Sequence, residues 1–256
     1  MAKLRFSRRR LLLGLGLGLP AAALADAAKV EPGWLQVRTL RLAKAAPRHR
    51  FVHFTDIHFK GDVDYLRRVV ATINGLKPDF ACFTGDLIEE ARHFAVAVEE
   101  LAKLTCPLYA IPGNHDHWSE VDLGPLAELC RKTGGDWLVD RQVKLAGTET
   151  VVSGVDRMNR LPTPILGATN ILLLHYPGWA DTLPHQGWDL ILSGHTHGGQ
   201  VRLPFIGALI TPFDSGRYEM GLYDTPSGPM YVSAGIGEFY FRIRFRCRPE
   251  ITVVEI

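Results

Sequence analysis

Five short apolar runs in this 256-residue chain each run into aspartate, asparagine or histidine. Phe51–Thr55 leads to Asp56-Ile57-His58, and Phe80–Thr84 to Gly85-Asp86. Leu108–Ile111 leads to Pro112-Gly113-Asn114-His115-Asp116. Ile171–Leu174 stops at His175, and Leu190–Leu192 at Ser193-Gly194-His195-Thr196-His197. Runs this short and apolar read as buried strands. In α/β sheets, ligands bind outside the carboxyl ends of the strands. Five strands that deliver such groups to one edge would assemble a single metal-rich site.

The runs alternate with helical spacing in the first half. Tyr65, Leu66, Val69, Val70 and Ile73 recur on one helical face, and Gly75 with Pro78 closes that helix. Residues His93–Leu104 and Val121–Lys132 read as the next two helices. A lead-in strand is expected at Val37–Leu42. After Gly134-Gly135 strands dominate: Trp137–Val143, Thr150–Val155, Ile171–Leu174, Leu190–Leu192, Met220–Tyr223, Met230–Ser233 and Ile251–Glu255. The βαβ order calls for right-handed crossovers and a parallel sheet under helices. The strand-rich half calls for a second sheet packed on the first. One α/β domain is expected, since a chain of this length buries a sizeable core.

Charge is unevenly spread. Lys3, Arg5, Arg8, Arg9 and Arg10 give the first twenty-five residues +5, and the remaining 24 basic and 27 acidic residues sum to −3. The overall +2 is no reason to expect nucleic acid. Ser7-Arg8-Arg9-Arg10, the apolar stretch Leu11–Leu19, and Ala23-Leu24-Ala25 form a basic, apolar and small-residue series. That series describes an export signal, and the arginine pair resembles a twin-arginine address. The expected division is 1–25 export signal, 26–50 lead-in strand and 51–256 catalytic domain. The expected location is the periplasm or cell envelope, reached through the twin-arginine machinery. Gly14, Gly16 and Gly18 mimic a nucleotide loop but lack the strand and helix that such a loop requires.

Taken singly, each polar strand end has a plain explanation. Aspartate after a strand is often a turn or cap residue, and a histidine after an apolar run is often a core residue. Their ordered set, each at the end of its own strand, is what points to a site. Carboxylate, amide oxygen and imidazole suit Mn, Fe or Zn better than Ca or a thiolate-held structural Zn. Six or seven ligands exceed the needs of one catalytic ion and suit two. Two ions about 3.5–4 Å apart can hold a water as hydroxide and clamp an in-line displacement at phosphorus.

The ordered blocks D-x-H, G-D, G-N-H-D, a lone histidine and G-H-x-H resemble the calcineurin-like metallophosphoesterase superfamily, over residues 51 to about 200. The longer forms Gly113–Trp118 and Gly194–Gln200, with Ser233–Gly237 and Arg248–Ile251, resemble a narrower bacterial group of YkuE- and YaeI-type phosphodiesterases. The resemblance implies a four-layer α/β/β/α sandwich of two mixed sheets in a single domain. It also implies two divalent ions. Asp56, His58 and His197 would hold the first, Asp86 would bridge, and Asn114, His175 and His195 would hold the second. His115 would be the acid for the leaving group, with Asp116 as its orienting partner. The implied activity is a binuclear phosphodiesterase acting on an envelope or lipid-linked phosphate ester by attack of hydroxide. A pyrophosphate hydrolase of the UDP-2,3-diacylglucosamine type is the alternative enzyme. A non-catalytic metal-binding scaffold is the alternative of another class, disfavoured because every motif ligand is present. The block His175-Tyr176-Pro177-Gly178-Trp179 lacks the acidic residue that relatives often carry after the proline. No G-x-S-x-G or H-E-x-x-H motif occurs.

Two further expectations concern the rest of the chain. Cys82 and Cys130 read as core residues, and Cys82, Cys106, Cys130 and Cys247 are expected to stay thiols if the chain folds before export. In Phe239–Arg248, Arg242, Arg244, Arg246 and Arg248 alternate with apolar residues. As a strand this would put four arginines on one face. That face would be either solvated or a rim for phosphate or lipid headgroups, and so a peripheral membrane contact.

Overall fold

The computed structural model describes residues 21–158, 160–184 and 186–256. The arginine pair and apolar stretch of the expected export signal lie outside these residues. Residues 21–25 are helical and continue through Asp26–Val30 and Glu31–Gly33. The chain then runs β1 (Gln36–Arg41), β2 (Arg50–Phe54), α1 (Val63–Gly75), β3 (Ala81–Phe83), α2 (Phe94–Leu101), β4 (Leu108–Ala110), α3 (Asn114–Trp118) and α4 (Gly124–Lys132). Next come β5 (Asp136–Trp137), β6 (Arg141–Lys144), β7 (Thr150–Val155), β8 (Thr169–Leu174) and β9 (Leu190–Ser193). The last elements are β10 (Arg202–Leu203), β11 (Gly207–Ala208), β12 (Gly221–Thr225), β13 (Gly228–Val232) and β14 (Glu250–Glu255).

Two six-stranded mixed sheets result, ordered β1-β14-β2-β3-β4-β5 and β12-β13-β9-β8-β7-β6. Strands β2 to β5 are mutually parallel, as are β7, β8, β9 and β13. The strand alternation decides what each face buries. On β2, Phe51 points into the core between the sheets, while Val52 and Phe54 pack under the helices. On β8, Ile171 and Leu173 face the first sheet and Leu172 with Leu174 face outward. Strands covered on both faces read as continuous apolar runs, which is why these are visible in sequence.

Helix α1 lays Leu66, Val69, Val70 and Ile73 on the first sheet, and α2 and α4 continue that layer with Leu101 and Leu126. Each such side chain contributes about 1.5–3 kcal/mol by leaving water. Asp62 caps α1 by accepting from the Tyr65 amide. The outer face of the second sheet is covered more thinly. There the single-turn segment Pro177–Asp181, Trp188 and Tyr218 pack on β8, β9 and β13.

Two expected strands are not built as expected. Trp137–Val143 breaks at Asp140, whose φ is 50°. Its first part edges the first sheet as β5, and its second part edges the other sheet as β6. Phe239–Arg248 forms no strand; among the described residues its sole ladder contact is an isolated bridge between Val201 and Phe245. Tyr240 and Arg246 have φ of 44° and 53°, which interrupts any extended alternation. Arg244 is fully buried, donating to the carbonyls of Ala234, Gly235, Gly237 and Cys247. Arg248 stacks on Trp34 with its guanidinium carbon 3.9 Å from the ring centroid. The four arginines therefore share no face, and Arg244 cannot meet a headgroup. All four cysteines are buried free thiols.

Candidate metal centre

The carboxyl ends of β2, β3 and β4 in one sheet meet those of β8 and β9 in the other. Each strand ends in a sharp turn. Asp56, His58, Asp86, His195 and His197 all have positive φ, between 41° and 70°. Asp and His enter this left-handed region more readily than most residues, and strained backbone of this kind concentrates at functional sites. The turns also approach one another closely. A side chain at Gly194 would overlap the Asp56 carboxylate, and one at Gly113 would overlap that of Asp86. Only glycine admits the contact.

The expected ligands come together as two groups that meet at Asp86. Potential ligand atoms of Asp56, His58 and His197 lie within 4.8 Å of one another, and so do those of Asp86, His175 and His195. Asp86 Oδ2 is 3.4 Å from His58 Nε2 on one side and 3.4 Å from His175 Nε2 on the other. Asn114 Oδ1 lies 3.0 Å from His175 Nε2. All seven residues are buried.

The second nitrogen of each imidazole is already engaged. His58 Nδ1 donates to Glu89 Oε2 at 2.7 Å, and His175 Nδ1 to the Thr84 carbonyl at 2.7 Å. His195 Nε2 donates to the Phe213 carbonyl at 2.7 Å, and His197 Nδ1 to that of Gly237 at 3.3 Å. Each bond sets the tautomer and leaves the other nitrogen with its lone pair turned inward, the arrangement found around ligated histidines. Consequently His58 Nε2 and His197 Nε2 face each other at 3.0 Å. Two inward lone pairs so close require a proton or a cation.

The charges say the same. Burial would lower His58, but Asp86 and Glu89 hold it up at about 10. Burial would lower His175 too, but Asp86 and Asp56 hold it up at about 9. Burial, with the neighbouring His175, pushes His195 down to about 3; burial and His58 push His197 well below the usual imidazole range. Burial would raise the Asp86 carboxyl, yet His175 and His58 keep it well below the usual range. The buried carboxylate thus draws positive charge to both sides. This donor set fits divalent ions.

His115 and Asp116 behave differently from expectation. The Asp116 carboxylate accepts from the backbone amides of Asp86, Leu87 and Gly113 at 2.8, 2.9 and 2.9 Å. It ties the β3 and β4 turns together. Burial and the Asp86 charge raise it to about 6, and the three amides offset part of that. The carboxylate facing the His115 ring is Glu89, with Oε2 3.2 Å from Nδ1. Burial would raise Glu89, but His115 and His58 hold it at about 2. Sequence reasoning misses Glu89 because it lies in a turn, without periodicity. Its one signal is a carboxylate three residues after Asp86.

Above the centre is a cavity of about 220 Å³. Its rim is aromatic: Trp118 lies 4.7 Å from His115 between ring centroids, and Phe239 meets the same ring edge-on at 5.1 Å. Tyr176 and Phe213 flank His195 at 4.7 and 5.3 Å.

The family model for calcineurin-like phosphoesterase matches residues 49–199. The chain is 33% identical over 281 aligned positions to the uncharacterized metallophosphoesterase YkuE of Bacillus subtilis, covering 97% of each chain. It is 30% identical over 246 positions to the phosphodiesterase YaeI of Escherichia coli, covering 88% of this chain and 90% of the other. Among solved structures, TT1561 of Thermus thermophilus overlays with a TM-score of 0.44 at 15% identity, covering 74% of this chain and 91% of that one.

Proposed function

The chain belongs to the calcineurin-like phosphoesterase family, and from that premise we propose a phosphodiesterase that works with two divalent ions on an envelope or lipid-linked phosphate ester. The observation that carries the reading is Asp86 Oδ2 standing 3.4 Å from an imidazole on either side. Asp56, His58 and His197 would hold one ion, Asn114, His175 and His195 the other, and Asp86 both. Bound there, Mn, Fe or Zn would supply Lewis-acid charge at phosphorus and an activated water.

The protein's own groups complete the chemistry. His115 gives its Nε2 proton to the leaving oxygen. Glu89 engages His115 Nδ1, which orients the ring. Because Glu89 also holds His58, one carboxylate sets the angle between an ion ligand and the acid. Asp116 keeps the β3 and β4 turns in register, so that the Asp86 carboxylate accepts from the His115 amide at 2.8 Å. The seven proposed ligands are buried, and each imidazole among them is held through its second nitrogen; preorganisation of this kind lowers the cost of stabilising charge in the transition state.

Residues 1–25 are proposed to direct export through the twin-arginine machinery to the periplasm or cell envelope, which brings phosphate esters of that compartment within reach. The test uses purified mature protein supplied with Mn²⁺ or Zn²⁺. Elemental analysis is expected to find about two ions per chain, and bis(p-nitrophenyl) phosphate is expected to be hydrolysed, with chelation abolishing turnover. A single ion at saturation overturns the two-ion arrangement. Bound metal with no phosphodiester hydrolysis overturns the activity.

A further inference from the structure

We propose that an apolar groove beside the metal centre holds the hydrocarbon chain of an amphiphilic phosphodiester. This rests on the phosphodiesterase reading and specifies the substrate class. The groove has a volume of about 380 Å³, within the size range of ligand pockets. Leu209 and Ile210 form one wall, Phe241 and Ile243 the other. It adjoins the cavity over the centre: His197, Pro212, Phe239 and Tyr240 line both. A substituent on a phosphate held at Asp86 therefore has a hydrocarbon-lined exit past His197.

The walls leave a polar substituent little to bind. The Gln200 amide donates to the carbonyls of Phe241 and Ile243, and its oxygen accepts from the Phe239 amide at 2.6 Å. The Thr196 hydroxyl donates to the Glu219 carbonyl at 2.5 Å. Among the described residues, no aspartate, glutamate, lysine or arginine lines the groove. Leu209, Ile210, Tyr240 and Phe241 are nevertheless 52%, 79%, 72% and 77% exposed. Apolar surface gathered this way marks a binding site. The opposite flank has another character: a cavity of about 350 Å³ there is lined by His117, Asp156, Arg157, Tyr176 and Trp179. The centre thus lies between an apolar side and a polar, aromatic side, which suits a diester with one chain and one polar substituent.

The test is a series of alkyl p-nitrophenyl phosphates with methyl, butyl and octyl chains, kept below micellar concentrations in Mn²⁺. Water adds across the P–O bond, p-nitrophenol leaves and the alkyl phosphate remains. The expected result is kcat/KM at least about tenfold higher for octyl than for methyl, because each buried methylene adds affinity. Ile210→Asp and Phe241→Asp should bring the octyl-to-methyl ratio towards one. Leu166→Asp, at an exposed apolar position outside the groove, should keep the wild-type ratio. Circular dichroism checks that each variant is folded, and Leu209→Ser serves as a milder wall substitution. Hydrolysis of the methyl ester with a flat series overturns the groove and leaves the phosphodiesterase standing. An unchanged ratio in folded wall variants does the same, as does a chain effect that begins only above the micellar concentration. Failure to hydrolyse any member overturns the phosphodiesterase reading and the groove with it.

Discussion

The floor and the rim of the metal centre are built on opposite principles. On the floor, every proposed ligand is buried, and each imidazole has its second nitrogen bonded to a carbonyl or to Glu89. On the rim, Trp118, Phe213, Tyr240 and Phe241 are more than half exposed, and the first three pack against neighbouring rings. On the proposed mechanism the floor is preorganised where charge develops, and that requirement is common to all phosphoryl esters. The rim faces whatever substituents the ester carries, so its demands are of shape and polarity. Substitutions on the floor should therefore change chemistry, and those near the rim should change stability or substrate preference.

The largest effect that would sharpen this contrast is expected at His115. His115→Ala should keep bound metal yet slow esters with alkyl leaving groups by about 10²–10⁴-fold, the usual contribution of a general acid. Esters that release p-nitrophenol need little protonation and should be much less affected. Comparing kcat for the two leaving groups decides it, and equal losses would remove His115 from that role.

A smaller loss is expected one bond further out. Glu89→Gln should lower metal affinity or turnover by about 10–100-fold, the usual effect of removing a partner that orients a ligand. Competition with a chelator measures the first and steady-state rates the second. If neither moves, Glu89 is an ordinary turn residue and the floor ends at the seven proposed ligands.

The smallest effect on the chemistry, and a clear one on stability, is expected at Arg244. Arg244→Met removes the guanidinium that pairs the Ala234 and Cys247 carbonyls, while Gly235 and Gly237 keep the Glu250 amide and His197 Nδ1 as donors, and an unpaired buried group costs about 1–3 kcal/mol. For a chain of this size the thermal midpoint should fall by about 5–10 °C. Arg242→Ala, at an exposed position of the same segment, should change stability by less than about 0.5 kcal/mol. Equal melting behaviour of the two variants would show that Arg244 is not the brace described above.

Which parts are legible in sequence follows from the range of the interactions involved. The runs Phe51–Thr55, Phe80–Thr84 and Ile171–Leu174 are visible because a strand buried on both faces has to be apolar throughout. The alternation in Phe239–Arg248 misleads for a related reason. Period-two spacing assumes that each arginine seeks solvent, whereas Arg244 is drawn inside by carbonyls at residues 234–237, which no pattern within its own segment reveals. Likewise Trp137–Val143 reads as one strand, but the chain must leave one sheet for the other, and it turns at Asp140.

The types of the candidate ligands, their order and their place at strand ends, and through them the family, follow from the sequence alone. Those properties are local, set by side-chain chemistry and by burial of neighbouring residues. Only the tertiary structure decided which carboxylate meets His115. Asp116 is its neighbour in the chain, yet the helical turn of α3 directs that carboxylate to three amides, and Glu89 arrives from the turn that follows β3. The groove past His197 is also a tertiary product. Its walls lie on segments about thirty residues apart, 209–212 and 239–243, that meet on one turn, where Val201 accepts from the Leu209 amide and the Gln200 side chain bonds the backbone of Phe239, Phe241 and Ile243.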